Sequence, residues 1–231
     1  WVKIWRLLSK VLMLHRQLPS FCMSGLLACV KCNFAMEIFM KYLIFSDVHG
    51  SAAACEKILE HFKRLNVDYM ILLGDILYHG PRNPLPEGHN PKKVAELLNS
   101  YADQLICCRG NCDAEVDQMV LNFPVLADFA FVVDEGIKIF CSHGHIYSPL
   151  RADGNIAVES SKIPAIAKAG IAFYGHTHVQ VLEKNADGII VCNPGSVSLP
   201  KGETPAGFAV YENACVTLYD IEGNPLKQLH C

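Results

Sequence analysis

The sequence predicts an α/β fold in which mixed β-sheets stack on one another with helices outside. Three observations lead there. Apolar runs of strand length alternate with helical spacing in the first half of the domain, which implies parallel strands. The second half is a succession of hairpin signals. Throughout, the buried-looking strands end in glycine beside Asp, Asn or His.

The elements follow in order. Lys41–Phe45 is a short apolar run closing on Ser46-Asp47 and reads as a buried strand. Ser51–Asn66 places Ala54, Ile58, Leu59, Phe62 and Leu65 at helical spacing, with Ser51 as N-cap. Tyr69–Leu73 is a second buried strand, ending in Gly74-Asp75. A loop rich in Pro and Gly runs from His79 to Asn90, and Asn90-Pro91 opens a helix to about Tyr101. Pro at the first helical position removes an N–H that would have no partner there. Gln104–Cys108 is a third strand, ending in Arg109-Gly110-Asn111. Phe129–Asp134 and Ile137–Ser142 then flank Glu135-Gly136; Val181–Lys184 and Ile189–Cys192 flank a turn with Asp187-Gly188; Phe208–Tyr211 and Val216–Asp220 flank Glu212-Asn213-Ala214. These are antiparallel hairpins. Between the first two, Leu150–Lys168 is polar and irregular, with a helix expected over Ile163–Ala169.

The 231 residues suit one domain with an appendage, and 51% apolar content allows a sizeable core. With 19% charged residues, a net charge of −3 and no long basic run, general nucleic-acid binding is disfavoured. A phosphate substrate stays compatible, because metal ions can supply positive charge. The 11 cysteines are odd in number, and Cys107, Cys108, Cys141 and Cys192 sit in apolar runs, where the thiol acts as a small hydrophobe. Reduced thiols, hence a cytoplasmic location, are expected.

Residues 1–39 read differently from the rest. They begin at Trp1, carry Lys3, Arg6 and Lys10, and have no acidic residue before Glu37. The positive start and apolar stretch resemble an export signal, but His15, Arg16 and Pro19 interrupt it and no clean small-x-small site follows. Leu26-Leu27-Ala28-Cys29 loosely resembles a lipoprotein box, and Cys29-Val30-Lys31-Cys32 is a lone CxxC without a second pair at zinc spacing. No uninterrupted apolar run of about 18–20 residues exists, so no spanning helix is expected. Residues 1–39 are read as an extension outside the fold, and 40–231, opening at Met40-Lys41, as the domain; export or membrane anchoring is the alternative.

Five strand ends collect polar residues: Asp47-Val48-His49, Gly74-Asp75, Gly110-Asn111, Ser142-His143-Gly144-His145 and Gly175-His176-Thr177-His178. Carboxyl ends of strands line the ligand crevice of α/β sheets. In extended backbone, residues two apart share a side, so Asp47 with His49, and His176 with His178, could each grip one ion. Any one of these side chains alone is commonly a turn former or a cap; their recurrence has no packing reason. Asp47, His49, Asp75, Asn111, His143, His176 and His178 give seven O or N donors, too many for one ion of four to six ligands and suited to two. Mixed imidazole and carboxylate donors favour Mn, Fe, Zn, Co or Ni over Mg or Ca.

The motifs D-x-H, G-D, G-N-x-D, H-G-H and G-H-T-H, in that order, resemble the calcineurin-like metallophosphoesterase superfamily. GDILYHGPRNPLPEGHNPKKV, RGNCDAEVDQM and NPGSVSLPKG resemble its small bacterial YfcE-type phosphodiesterases. The resemblance spans residues 40–231. It implies a four-layer fold, a mixed β-sandwich flanked by α-helices. It implies one metal on Asp47, His49, Asp75 and His178, and a second on Asp75, Asn111, His143 and His176, Asp75 bridging. Manganese is the first expectation for both.

Many phosphatases of the superfamily carry His after the motif Asn, to protonate the leaving group; here Cys112 stands there, as in the YfcE-type subgroup. That leaves the general acid unassigned and makes Cys112 a pocket-wall residue. The expected chemistry is a metal-bridging hydroxide attacking a small phosphodiester, the ions roughly 3.5–4 Å apart. Arg82 is a candidate substrate contact; Ser196 could contact phosphate, though a turn role is expected. The alternatives are a phosphomonoesterase acting on protein or nucleotide, a non-catalytic scaffold like the retromer subunit of this superfamily, and metal storage. Exposed hairpin edges permit a homodimer.

Overall fold

Alternation along β1 (Tyr42–Phe45) decides how the layers form. Leu43 and Phe45 face one way, into a core shared with helices, while Tyr42 and Ile44 face the other way, into the space between two sheets. The structure is a computed structural model describing residues 40–149, 169–185 and 188–231. The extension over 1–39 with its CxxC, and all but the last residue of the helix expected over Ile163–Ala169, lie outside the described residues.

Strand β1 pairs in parallel with β2 (Tyr69–Leu72), and β2 with β3 (Leu105–Cys107), as the strand–helix alternation requires. The other edge of β1 is antiparallel to β9 (Gly207–Glu212), which continues through β10 (Cys215–Asp220) to β11 (Pro225–His230). This six-stranded sheet runs β11-β10-β9-β1-β2-β3. The second sheet holds β4 (Phe129–Asp134), β5 (Ile137–Ser142), β6 (Ile171–Phe173), β7 (Gln180–Lys184) and β8 (Ile190–Pro194), in the order β4-β5-β6-β8-β7.

The hairpins β4–β5, β7–β8 and β9–β10 form as expected. The second sheet is mixed, as expected of the fold: beyond its hairpins, β5, β6 and β8 pair in parallel. Strand β6 was legible only through the polar Gly175-His176 just after it, because three residues are too short to carry a period. Strand β11 was missed: it opens on Pro225, lies at a sheet edge and is almost wholly exposed, so it lacks apolar alternation.

Helix α1 (Ala52–Arg64) and helix α2 (Pro91–Asn99) cover the outer face of the six-stranded sheet. The Ser51 hydroxyl caps α1 by accepting from Ala54 N–H at 3.2 Å, and Asn90 caps α2 by accepting from Lys93 N–H at 3.1 Å. Ile58, Leu59 and Phe62 of α1 and Val94 and Leu98 of α2 are buried against Leu43, Phe45, Met70 and Leu72. Between the sheets Ile44, Ile71, Ala209 and Val216 meet Ile139, Ile171, Phe173 and Ile190. Each fully buried large side chain contributes roughly 1.5–3 kcal/mol of transfer free energy. The sandwich core therefore fixes the strand ends with respect to one another. Cys108, Cys141 and Cys192 are buried and free in that core, and Cys107 is buried and free in the core beneath the helices. Among the described residues no helix is long and apolar enough to cross a membrane.

Candidate metal centre

The loops after the parallel strands stay tied to each other beyond the strand ends. Asp47 N–H donates to Gly74 O (3.1 Å), His49 N–H to Asp75 O (2.9 Å) and Gly175 N–H to His143 O (2.9 Å). These ties bring the donors of separate strands into one cluster. Gly110 is required there: a Cβ would collide with the Asp75 carboxylate, and one on Gly74 with Gly110. The backbone also bends sharply under the donors. Asp47 (φ 58°), His49 (49°), Asp75 (56°), His176 (68°) and His178 (61°) all occupy the left-handed region. Each such residue costs about 1–3 kcal/mol and persists only where its surroundings fix it.

This corrects the extended-backbone reasoning for the two i, i+2 pairs. Asp47 and His49 do face one point, with His49 Nε2 3.7 Å from Asp47 Oδ1. His176 and His178 do not. His178 Nε2 lies 3.2 Å from Asp47 Oδ1, whereas His176 Nδ1 lies 2.6 Å from Asn111 Oδ1.

The imidazole orientations test whether these residues fit a metal. Nδ1–H of His49 donates to Tyr78 O (2.8 Å), that of His178 to Leu199 O (2.6 Å) and that of His143 to Leu73 O (2.8 Å). With the proton on Nδ1, a neutral ring at His49 or His178 presents an Nε2 lone pair to the centre, as His143 would once its Nε2 proton gives way to an ion. His49 Nε2 and His178 Nε2 then face each other at 3.2 Å. Asp47 Oδ1 beside them is buried and accepts no hydrogen bond among the described residues. Lone pairs converging on a buried carboxylate oxygen call for a cation, so the donor set fits a metal ion. Three groups have ligand atoms within 4.8 Å of one another: Asp47, His49 and His178; Asp47, Asp75 and His143; and His49, Asp75 and Cys112.

Electrostatics agree with that demand. Burial opposes charge on Asp47 and Asp75, but neighbouring imidazoles outweigh it and hold both carboxyls below their usual range; His178 and His143 act on Asp47, and His143 and the Cys112 N–H on Asp75. Burial works against a charged His143 as well, yet Asp75 and Asp47 push it up to about 9. Burial lowers His49 and His176. His145, at the same strand end, packs on His143 with ring centres 5.3 Å apart and is lowered to about 4 by burial and by the charge of His143.

A cavity of about 530 Å³ opens over the cluster, lined by Asp75, Asn111, His176, His178, Cys112, Arg82 and Lys201 among others. Within it the Cys112 thiol takes a hydrogen bond from Asn111 Nδ2 (3.2 Å), and burial, then Asp75, push it up to about 12. Ser196 is elsewhere. Its buried hydroxyl donates to Asp47 O (2.7 Å) and accepts from Leu199 N–H (2.8 Å), so it builds the turn.

Residues 40–214 match the family model described as the calcineurin-like phosphoesterase superfamily domain. The chain belongs to this superfamily. Phosphodiesterase YfcE of Escherichia coli strain K12 is 44% identical over 174 residues, 75% of this chain and 88% of that protein. The solved structure of YfcE, a phosphoesterase from E. coli, superposes with a TM-score of 0.72 at 39% identity, covering 83% of this chain and 99% of that one. Vacuolar protein sorting 29 from Cryptosporidium parvum shares the fold at TM-score 0.53 and 15% identity, over 84% of this chain and 99% of its own. The chain is thus a phosphoric ester hydrolase by family, with a mixed β-sandwich fold and residues that could hold a metal.

Two residues of this phosphoesterase escaped the donor census. Asp113 is buried, and its carboxylate accepts from Asp75 N–H (2.9 Å), Ile76 N–H (2.8 Å) and Gly110 N–H (2.7 Å), clamping the loops after β2 and β3 together. It was visible as the last letter of G-N-x-D. Lys201, from the stretch NPGSVSLPKG, reaches the cavity from the loop after β8.

Proposed function

We propose that the chain is a dinuclear metal-dependent phosphodiesterase. The observation that carries this is the pair of Nε2 lone pairs 3.2 Å apart over the Asp47 carboxylate. One ion would be held by Asp47, His49, Asp75 and His178, the second by Asp75, Asn111, His143 and His176, with manganese the first expectation. Bound divalent ions supply an activated water as nucleophile and offset the charge that develops on the phosphoryl oxygens.

The chain's own residues do the positioning. Cys112 N–H donates to Asp75 Oδ1 (2.8 Å), which leaves Oδ2 directed at His143 and His49. Asp113 holds the backbone of Asp75 against that of Gly110. Cys112 and Arg82 form part of the wall on which the substrate would rest. Where an acidic imidazole would follow the motif Asn, the chain has Cys112. A leaving group that departs without strong protonation suits this wall, which supports a diester over a monoester. The 44% identity to a phosphodiesterase supports the same choice.

The test is hydrolysis of bis(p-nitrophenyl) phosphate and of p-nitrophenyl phosphate by protein stripped with chelator and reloaded with Mn²⁺. Chelation should silence the protein, Mn²⁺ should restore it, and the diester should be the better substrate by kcat/KM. Activity indifferent to chelation, or a preference for the monoester, overturns the proposal.

A further inference from the structure

Arg82 and Lys201 are the two basic side chains, apart from histidine, that line the cavity over the donor cluster. Arg109 is paired with Asp128 at 2.6 Å, Lys57 with Glu222 at 2.7 Å and Lys41 with Glu212 at 2.9 Å. Among the described residues no carboxylate pairs with Arg82 or Lys201, yet both line the cavity above the donor cluster. Asp75, a donor on the floor, is the one acidic residue among those lining it.

Their backbones are anchored to the cluster itself. Lys201 N–H donates to the carbonyl of His178 at 3.0 Å. The loop carrying Arg82 is closed by Asn83 Nδ2 on His79 O at 2.9 Å, and Gly80 fits against Cys112, where a Cβ would come within 3.2 Å of Sγ. Two unpaired cations therefore stand at defined places beside the reacting centre. The cavity of about 530 Å³ has room for much more than one phosphate group, within the range of roughly 300–1,000 Å³ that takes a whole organic ligand.

The scissile group of a diester carries one negative charge, which the donor cluster and its ions serve. Arg82 and Lys201 are left for another anion. A terminal phosphate ester carries about −1.5 to −2 at neutral pH, which matches two cations.

We infer, building on the phosphodiesterase reading, that the substrate is an organic phosphodiester bearing a second, non-scissile phosphate that Arg82 and Lys201 bind. Hydrolysis breaks the P–O bond to the leaving group, water supplies the oxygen that replaces it, and the second phosphate stays on the retained product.

Two chromogenic diesters test this: thymidine 5′-(p-nitrophenyl phosphate), and the same compound with a 3′-phosphate. Each releases p-nitrophenolate. The 3′-phosphorylated diester should have a kcat/KM about tenfold higher, the size expected for hydrogen bonds to a charged group. The preference should shrink with added salt, since both cations are exposed. The doubly substituted Arg82→Ala/Lys201→Ala protein should bring the ratio of the two substrates to near one, whereas Arg82→Lys should keep most of it. Calorimetry should show thymidine 3′,5′-bisphosphate binding more tightly than thymidine 5′-monophosphate, with the difference lost in the double variant. Equal kcat/KM on the two diesters, or a ratio the double variant leaves untouched, overturns the inference while the diesterase reading stands. Cleavage of neither diester, with a chromogenic monoester cleaved, overturns both.

Discussion

Asp47, His49 and His178 are withdrawn from solvent, whereas Asn111 is exposed and His176 half-buried, although all five stand at strand ends of one sandwich. The orienting contacts differ in the same way. His49 and His178 are held by backbone carbonyls of the loops around them. The Nδ1 of His176 meets the side chain of Asn111, itself a candidate donor at the cavity floor. A ring held by the fold keeps its place whether or not a ligand is present. A contact between two accessible side chains can be exchanged for one to a ligand. In the proposed centre the buried half would hold an ion, and the open half is where a phosphate oxygen would enter. Asp75 and His143 lie on the border, 3.5 Å apart.

Asp75 touches both halves, so removing its charge should have the largest effect. Asp75→Asn should lower kcat on a chromogenic diester by about 10³-fold or more, comparable to the loss of an essential charge-stabilising group, with an unchanged circular dichroism spectrum. A variant that still turns over would break the claim that the halves share this carboxylate. Next, His49→Ala and His176→Ala should part company. Loss of a direct donor from the buried half should weaken metal affinity by more than the roughly 10–100-fold that loss of a ligand's outer partner costs, measured by metal content after dialysis. His176→Ala should retain more metal and lose more in KM. Equal metal loss in the two variants would erase the distinction between holding and open halves.

The seven candidate donors were legible as residue types, and their backbone was not. Asp, Asn and His at strand ends are a chemical signal that survives without coordinates. The left-handed φ values under Asp47, His49, Asp75, His176 and His178 are a tertiary product: neighbouring loops hydrogen-bond past the strand ends and hold the backbone there. In the fold, long amphipathic α1 and the glycine-centred hairpins announced themselves, while β6 showed only through the Gly175-His176 that follows it and β11 did not show at all. One is too short to show a period and the other is too exposed to show a pattern. Asp113 is the clearest omission. A carboxylate that ligates and one that clamps backbone look alike in a motif, and only its three N–H donors distinguish them.

That clamp gives a smaller, structural prediction. Asp113→Asn replaces an acceptor-only group with an amide whose NH₂ must face at least one of the three N–H donors. The cost should be about 1–3 kcal/mol, the penalty for leaving a buried polar group unpaired, read by denaturant unfolding. Because Asp75 moves with the clamp, activity should fall as well. An unchanged midpoint would mean that the strand core alone sets the border between the halves.

The border should also show in the pH dependence of the metal-free protein, the smallest effect of the set. Asp75 and Asp47 outweigh burial and push His143 up to about 9, well above the ~6.5 of an unfolded chain. Its contribution is therefore fully present below pH ~6.5 and lost as pH rises through about 9, because the folded state binds the proton more tightly there. Thermal unfolding of chelated protein should shift to lower temperature across that window. Asp113, raised to about 6 chiefly by burial, places its own decline lower, between about 4 and 6, so the two are separable. His143→Gln should flatten the upper decline and leave the lower one. Loading with Mn²⁺ should reverse the sign between pH 6.5 and 9, since the neutral imidazole is the ligating form and the ion competes with the proton. A metal-free protein whose unfolding temperature is flat over that range holds no proton at His143. In that case the cation-demanding position would lie wholly in the buried half, on Asp47, His49 and His178.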